Sequence, residues 1–141
     1  MLVFVDTGAW VALALRKDRR HLEASRHFQE LLAERVGLVT SNYVLSETLT
    51  RVRYDGGHQA AVMVSQIVDE AQERKRLSVK WVGPEIETEA MDIFVRYSDQ
   101  AFSVTDCTSF VICKELRISR VFSFDKDFSV MGFEVEPRIE N

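Results

Sequence analysis

The chain has 141 residues, 46% of them hydrophobic and 28% charged, which is ordinary for one soluble globular domain with a real core. No apolar run is long enough to span a membrane, the first residues lack the basic region of a signal peptide, and Cys107 and Cys113 lack a metal-ligand spacing, so we expect a cytoplasmic protein. The net charge of −4 argues against a generally basic nucleic-acid-binding surface, but not against an enzyme that acts on nucleic acid through a metal ion.

Strands and helices alternate in the first half of the chain. The continuous apolar run Leu2–Val5 is typical of a strand that is buried on both faces. Residues farther along show apolar positions at helical spacing, interrupted by one short β-prone run. The predicted elements are, in order, helices at 7–15 and 21–35, a strand at 38–40, and helices at 42–54 and 58–75.

The same alternation continues to the end of the chain. Residues 78–82 predict a third strand, after which Pro84 suits the first turn of a helix. Thr105 suits the N-cap of a helix over 106–116, whose apolar residues lie all round, as in a helix packed on several sides. The last predicted elements are a strand at 120–124 and a short fifth strand at 133–135. This pattern predicts an α/β fold, a parallel sheet covered on both faces, in a single domain over residues 1–141.

Four acidic residues are placed where such a sheet would bring them together. Asp6 and Asp125 end two apolar runs, Asp106 begins a predicted helix, and Glu47 lies inside the helix at 42–54. In open parallel sheets, ligands bind outside the carboxyl ends of the strands, near the point where the strand order reverses. Carboxylates gathered there repel one another unless a divalent cation lies between them, and oxygen ligands favour Mg²⁺ or Mn²⁺.

Three of these acids also have a structural interpretation. Asp6 has the residue type and the position of a helix N-cap, and Asp106 would complement the dipole of the helix that it begins. Asp125 or its neighbour Asp127 would be only a turn residue. The placement of both Asp6 and Asp125 at strand ends favours a shared site over these separate roles.

Glu47 and Ser109 carry weaker signals. Glu47 lies off the apolar face of its helix, on one stripe with Tyr43 and Arg51, and an ion pair with Arg51 one turn later is the structural alternative. Ser109 lies one turn after Asp106 on the same side of the helix, where a hydroxyl more often serves helix packing.

A short basic cluster precedes the second helix. Arg16, Lys17, Arg19 and Arg20 are candidates for contacts with nucleic-acid phosphates, and a solvated surface is the alternative. No G-x-x-x-x-G-K-[ST], G-x-G-x-x-G, H-E-x-x-H or G-x-S-x-G motif is present, and only three histidines occur. Nucleotide-binding loops, zinc sites and serine nucleophiles are therefore disfavoured.

Four short segments occur in a characteristic order: VDT at 5–7, SE at 46–47, TDCTSF at 105–110 and SFDKDF at 123–128. With these segments the chain resembles the PIN-domain family of ribonucleases, most closely the VapC-like toxins of prokaryotic toxin–antitoxin systems. The resemblance spans nearly the whole chain. It implies a three-layer α/β/α sandwich with the first strand central, a site for one or two Mg²⁺ or Mn²⁺ ions, and single-stranded RNA as the substrate.

The resemblance also implies roles for particular residues. Asp6, Glu47 and Asp106 fall on the family's acidic positions, and Asp125 falls on the fourth, with Asp127 as a nearby candidate. A homodimer and a small cognate antitoxin that occludes the cleft are implied as well.

Two further positions of the resemblance concern hydroxyl groups. Thr7 falls where relatives usually carry a small hydroxyl residue close to the site. Thr108 and Ser109 stand where many relatives have alanines, which changes the hydrogen bonding available there.

These observations lead to the hypothesis of a metal-dependent endoribonuclease, the toxin of a toxin–antitoxin pair. Two alternatives stay open: a PIN-like module that binds RNA or a partner without cleavage, and a metal-dependent phosphatase that acts on small phosphoesters. A role in RNA processing instead of toxicity is also open. The residues expected at the site are Asp6, Glu47, Asp106 and Asp125 as catalytic metal ligands, with Thr7, Ser109 and Asp127 around them.

Overall fold

The computed structural model describes residues 1–138, which contain five strands and seven helices. The strands are β1 (Leu2–Val5), β2 (Gly37–Ser41), β3 (Leu77–Lys80), β4 (Arg120–Phe122) and β5 (Glu134–Glu136). The helices are α1 (Thr7–Ala14), α2 (His21–Glu34), α3 (Asn42–Gly56), α4 (His58–Glu73), α5 (Pro84–Arg96), α6 (Val104–Glu115) and α7 (Asp127–Val130).

The strands form one parallel sheet in the order β3-β2-β1-β4-β5. Side chains of successive strand residues point to opposite faces of a sheet. Val3, Phe4 and Val5 in the central strand are all fully buried, so helices cover both faces. The predicted α/β/α sandwich with a central first strand is confirmed.

Each predicted strand and helix is present, but several boundaries differ. The fourth strand ends at Phe122 instead of residue 124, and the short helix α7 was not predicted. The N-cap assigned to Thr105 is wrong: α6 begins at Val104, and Ser103 is its N-cap. Ser103 is the N-cap because its hydroxyl oxygen accepts a hydrogen bond from the Asp106 amide, and the Asp106 carboxylate accepts one from the Ser103 amide. The two hydrogen bonds together form a capping box.

The strand order reverses between β1 and β4. The chain runs outward from β1 through β2 to β3, and then crosses to the other side of β1 to form β4 and β5. Val5 pairs with Phe122 in this parallel register, so the next residues, Asp6 and Ser123, become neighbours at the carboxyl edge. This edge is where open parallel sheets bind ligands.

Buried hydrogen bonds fix α1 against the strands. The indole Nε1 of Trp10 donates to Thr40 Oγ1 at 3.1 Å, and the Thr40 hydroxyl donates to the Val5 carbonyl at 2.9 Å. Each polar group therefore has a partner inside the core. The connection between β1 and α1, which carries Asp6, is held at both of its ends.

An aromatic cluster fixes α6 and α7. The Phe110 ring contacts Phe102 and Phe128 edge to face, each at 5.0 Å between centroids, and stacks on Phe133. All residues from Asp106 to Cys113 are buried, as the apolar pattern of this helix predicts. The cluster therefore holds the loop after β4, which carries Asp125, against the helix that carries Asp106.

Charged groups tie the edge strand β5 to the fold. Arg120 donates from Nη2 to Glu136 Oε1 at 2.9 Å and from Nη1 to Glu34 at 3.1 Å, and His27 Nε2 lies 3.1 Å from Glu136.

None of the helices within residues 1–138 combines the length and the apolar character of a membrane span.

Candidate active site

Three carboxylates meet at the carboxyl edge of the sheet. Asp6 follows β1, Asp106 lies in the first turn of α6, and Asp125 follows β4. One oxygen of each lies within 4.8 Å of the others. Asp6 is 5% and Asp106 is 9% exposed, and all three carboxylates line an open cavity of about 450 Å³. The structure thus brings together three of the four acids that the sequence analysis assigned to a metal site.

Asp6 occupies the N-cap position of α1 without using its carboxylate as a cap. Its backbone carbonyl accepts hydrogen bonds from the amides of Ala9 and Trp10, but its side chain makes no capping hydrogen bond. Its Oδ2 atom instead accepts a hydrogen bond from the Ser123 hydroxyl at 3.0 Å. The N-cap interpretation therefore accounts for the backbone of Asp6 but not for its carboxylate.

Ser123 connects two of the three acids. While its hydroxyl donates to Asp6, its Oγ accepts the backbone N–H of Asp125 at 3.0 Å. Asp125 Oδ1 in turn accepts the backbone N–H of Asp127 at 2.9 Å. The sequence does not distinguish Ser123 as a site residue, because a serine between a strand and a loop carries no distinctive signal.

Of the two candidates for the fourth acid, Asp125 is the one that lies close to Asp6 and Asp106. Asp125 belongs to the group of three carboxylates, whereas Asp127 begins α7 and does not line the cavity. Asp106 lies in the first turn of α6 and also lines the cavity, a position that is compatible with both of its predicted roles.

Glu47 and Thr7 line the same cavity but stand outside the three-carboxylate group. Glu47 and Arg51 form no ion pair with each other, so that alternative is wrong, and both side chains border the cavity instead. Thr7 is buried, and its Oγ1 has no hydrogen-bond partner within residues 1–138. Ser109 is not brought to the cavity, because its hydroxyl donates to the Thr105 carbonyl at 3.0 Å in the helix interior.

Burial raises the pKa of two of the acids. Removal from water raises the pKa of Asp6 to about 7, and the charges of Asp106 and Asp125 add to this effect, while hydrogen bonds from the Thr7 amide and the Ser123 hydroxyl oppose it. Removal from water also raises the pKa of Asp106 to about 6, helped by the charges of Asp125 and Asp127. Negative charge at this edge is therefore costly to the fold without a compensating cation.

The residues present fit a divalent cation. The carboxylate oxygens of Asp6, Asp106 and Asp125 are hard ligands and lie close enough to share one ion. Among residues 1–138, no basic side chain forms an ion pair with these three carboxylates. Thr7 lines the same cavity, and its buried hydroxyl has no hydrogen-bond partner among residues 1–138.

The basic side chains near the site differ from those that the sequence analysis selected. Lys126 and Arg51 line the acidic cavity. Arg20 reaches the neighbouring residue Phe124, with its guanidinium carbon 5.2 Å from the ring centroid.

The other members of the predicted basic cluster lie elsewhere. Arg16 and Lys17 line a separate cavity beside Asp55 and Gly56, and Arg19 is exposed. The structure therefore brings only Arg20 of that cluster toward the acids.

Comparison with known proteins identifies the family. The PIN domain family matches residues 3–134. This chain belongs to the PIN domain family. The assignment covers every segment that carries the acidic residues, from Asp6 to Asp125.

Two PIN-domain relatives are similar over most of their length. The 23S rRNA-specific endonuclease VapC20 of Mycobacterium tuberculosis is 38% identical over 96% of this chain and 99% of its own. The VapC ribonuclease of Archaeoglobus fulgidus is 26% identical over 92% of this chain and 81% of its own. Both relatives are named as nucleases of RNA.

A solved structure matches the PIN fold described above. The crystal structure of Mycobacterium tuberculosis VapC20, described as a sarcin–ricin loop cleaving toxin, superposes with a TM-score of 0.82 at 35% identity. The match covers 93% of this chain and 95% of the VapC20 chain.

We expect Asp6→Asn to stabilise the metal-free protein at alkaline pH. A carboxyl whose pKa is raised on folding stabilises the fold below its unfolded pKa of 3.8, and this contribution is lost as the pH rises through about 7. The variant has no such loss, so above neutral pH its free energy of unfolding in EDTA should exceed that of the wild type by about 2–4 kcal/mol. Urea denaturation at a series of pH values measures the difference.

The matched control is Asp69→Asn, on the exposed surface of α4, which should change little at any pH. The advantage of Asp6→Asn should shrink as the pH falls toward 3.8. A variant no more stable than the wild type in alkaline EDTA would contradict the raised pKa of Asp6.

Proposed function

We propose that the chain is a metal-dependent endoribonuclease that cleaves single-stranded RNA. The observation that carries the proposal is the group of three carboxylates within 4.8 Å, at the strand-order reversal of a PIN domain. The 38% identity to a ribosomal-RNA endonuclease over nearly the full chain supports it. A small-phosphoester phosphatase and a non-cutting binding module find no comparable support.

We assign the metal site to Asp6, Asp106 and Asp125, as direct ligands or through water, and the ion to Mg²⁺ or Mn²⁺. Such an ion polarises a scissile phosphate and lowers the pKa of a bound water. Burial of Asp6 and Asp106 excludes bulk water from one side of the site. Ser123 fixes the orientation of Asp6 and the backbone of Asp125, so the ligand atoms are held before an ion arrives.

Glu47 and the nearby cations have separate roles in this proposal. Glu47 borders the cavity without belonging to the three-carboxylate group, a position that suits a residue orienting the attacking water. Lys126 and Arg51 line the same cavity and would neutralise the phosphates on either side of the cleaved bond.

The substrate class follows from the relatives. VapC20 is named for 23S rRNA and for the sarcin–ricin loop, so we propose an exposed loop of large-subunit ribosomal RNA as the first target to test. Unpaired bases in loops can be splayed out and read individually, which a helical RNA does not allow.

We expect metal-dependent cleavage that requires the acids. Wild-type protein with Mg²⁺ or Mn²⁺ should cut a labelled sarcin–ricin stem-loop or an unstructured RNA, and EDTA should abolish cutting. Loss of groups that only support metal ligands costs 10–100-fold, so Asp6→Asn, which removes a ligand, should lose at least about 100-fold in kcat/KM. Gel electrophoresis of the labelled RNA measures both effects.

Asp69→Asn is the control and should cut as the wild type does. Glu47→Gln with full activity would remove Glu47 from the catalytic set. If the protein binds RNA but does not cut it with either metal, the result would favour the binding module. If it hydrolyses a chromogenic phosphate ester and leaves RNA uncut, the result would favour the phosphatase.

We also propose that the chain is the toxin of a toxin–antitoxin pair, active in the cytoplasm on ribosomal RNA. The relatives named VapC support this role. Induced expression in a bacterial host should then arrest growth, and Asp6→Asn should relieve the arrest. Normal growth at verified wild-type protein levels would favour a role in RNA processing, and a small protein co-purifying and inhibiting cleavage would identify the antitoxin.

A homodimer is proposed on a different observation. Met63 and Ile67 on α4, one turn apart, are 60% and 54% exposed, and Val95 on α5 is 72% exposed. Exposed apolar side chains at helical spacing favour a protein interface. Analytical ultracentrifugation should give a dimer mass, and Ile67→Lys should shift it toward the monomer if α4 contributes; a monomer at all concentrations would refute the dimer.

A further inference from the structure

A second cavity adjoins the acidic one. It has a volume of about 510 Å³ and shares Phe124, Asp125 and Lys126 with the cavity of the three carboxylates. Val135 and Pro137 add apolar surface to its wall. The two cavities, together called the groove, therefore adjoin at these three residues, and Phe124 lines both the acidic cavity and the second one, the recess.

Phe124 is held in place without being closed off. Its ring packs edge to face on Phe122, with the centroids 6.2 Å apart, and it stays half-buried. The Arg20 guanidinium lies 5.2 Å from the ring centroid and is itself fixed by Glu23 at 3.1 Å. An aromatic ring with a positive neighbour is a favourable surface for a nucleobase.

The recess has one more basic than acidic side chain in its wall. Arg20, Lys126 and Arg138 line it together with Asp125 and Glu134. Arg20 pairs with Glu23 and Arg138 with Glu134, whereas Lys126 forms no ion pair with another residue among 1–138. Because Phe124 lines both cavities, a strand whose phosphate lies at the three carboxylates has room for an adjacent nucleotide at Phe124. Single-stranded RNA is recognised largely by unstacked bases that pack on aromatic side chains, while basic groups follow the backbone.

We propose that the recess lined by Phe124, Val135 and Pro137 is a nucleobase subsite, which takes the unpaired base of a nucleotide next to the cleaved bond. Arg20 and Lys126 contact the phosphates that flank this base. This inference rests on the proposed ribonuclease function and adds to it a specificity-determining residue, Phe124.

The first test compares Phe124→Leu with Phe124→Tyr. Leucine keeps apolar volume but removes the ring, so kcat/KM for RNA cleavage should fall about 5- to 100-fold, mainly through KM, because stacking on one base is lost. Tyrosine keeps the ring and should retain most of the activity. The matched control Phe94→Leu changes a half-exposed phenylalanine outside the groove and should cleave normally.

The second test uses RNA that lacks one base. Abasic substitution at the nucleotide that enters the recess should slow cleavage by the wild type to a similar degree. The same substitution should cost Phe124→Leu almost nothing further, because the contact is already gone. The Mn²⁺-induced rise in unfolding temperature should be equal in the wild type and in Phe124→Leu, which shows that the metal site is intact.

Two results would overturn the subsite. One is unchanged cleavage by Phe124→Leu. The other is an abasic penalty that is equally large in the wild type and in Phe124→Leu at every position. Either result would leave the recess to another occupant, such as an apolar side chain of a partner protein.

A binding assay keeps the subsite testable if the ribonuclease itself fails. Asp6→Asn removes a repulsive charge from the phosphate site, so this variant should bind short oligoadenylate by fluorescence anisotropy even without turnover. Adding Phe124→Leu to it should weaken that binding by a similar 5- to 100-fold. Equal binding by the two proteins would refute the subsite, whereas absence of cleavage by the wild type would refute only the proposed function.

Discussion

The structure depends on keeping three mutually repelling carboxylates close together in a partly water-excluded place. Asp6 and Asp106 have raised pKa values because burial disfavours their charged forms and neighbouring acids add to the repulsion. Such an arrangement persists only where the surrounding structure holds it firmly. A cation-binding function gives the reason for tolerating it, because a divalent ion turns the same repulsion into affinity.

Three sets of hydrogen bonds hold the segments that carry these acids in place. Trp10 and Thr40 anchor the turn after β1 through buried hydrogen bonds. The capping box of Ser103 with Asp106 fixes the start of α6, and Ser123 joins the ends of β1 and β4. Each acid therefore lies on or next to a different element, and Ser123 links two of the acids directly.

The overall charge of the chain and the local charge beside the acidic cavity have opposite signs in part. The chain is acidic as a whole, at −4, yet Arg51 and Lys126 border the acidic cavity and Arg20 borders the recess next to it. Local cations can neutralise phosphates where the strand lies, while the overall negative charge limits nonspecific binding to other nucleic acid. In the proposed subsite, specificity comes instead from apolar surface, that of the recess at Phe124.

The sequence by itself determined the order of the elements and the carboxyl edge as the location of the site. Apolar runs buried on both faces specify parallel strands, and Asp6 follows the first of them directly. Only the tertiary structure decided that Asp125 and not Asp127 joins the group, that Ser123 links two acids, and that Arg20 alone of its cluster approaches the site. The physical reason is that these choices depend on the pairing of β1 with β4, which brings residues more than 100 positions apart into hydrogen-bond distance, as the separation of 117 between Asp6 and Ser123 shows. Local patterns of polarity locate the strand ends but do not fix such distances.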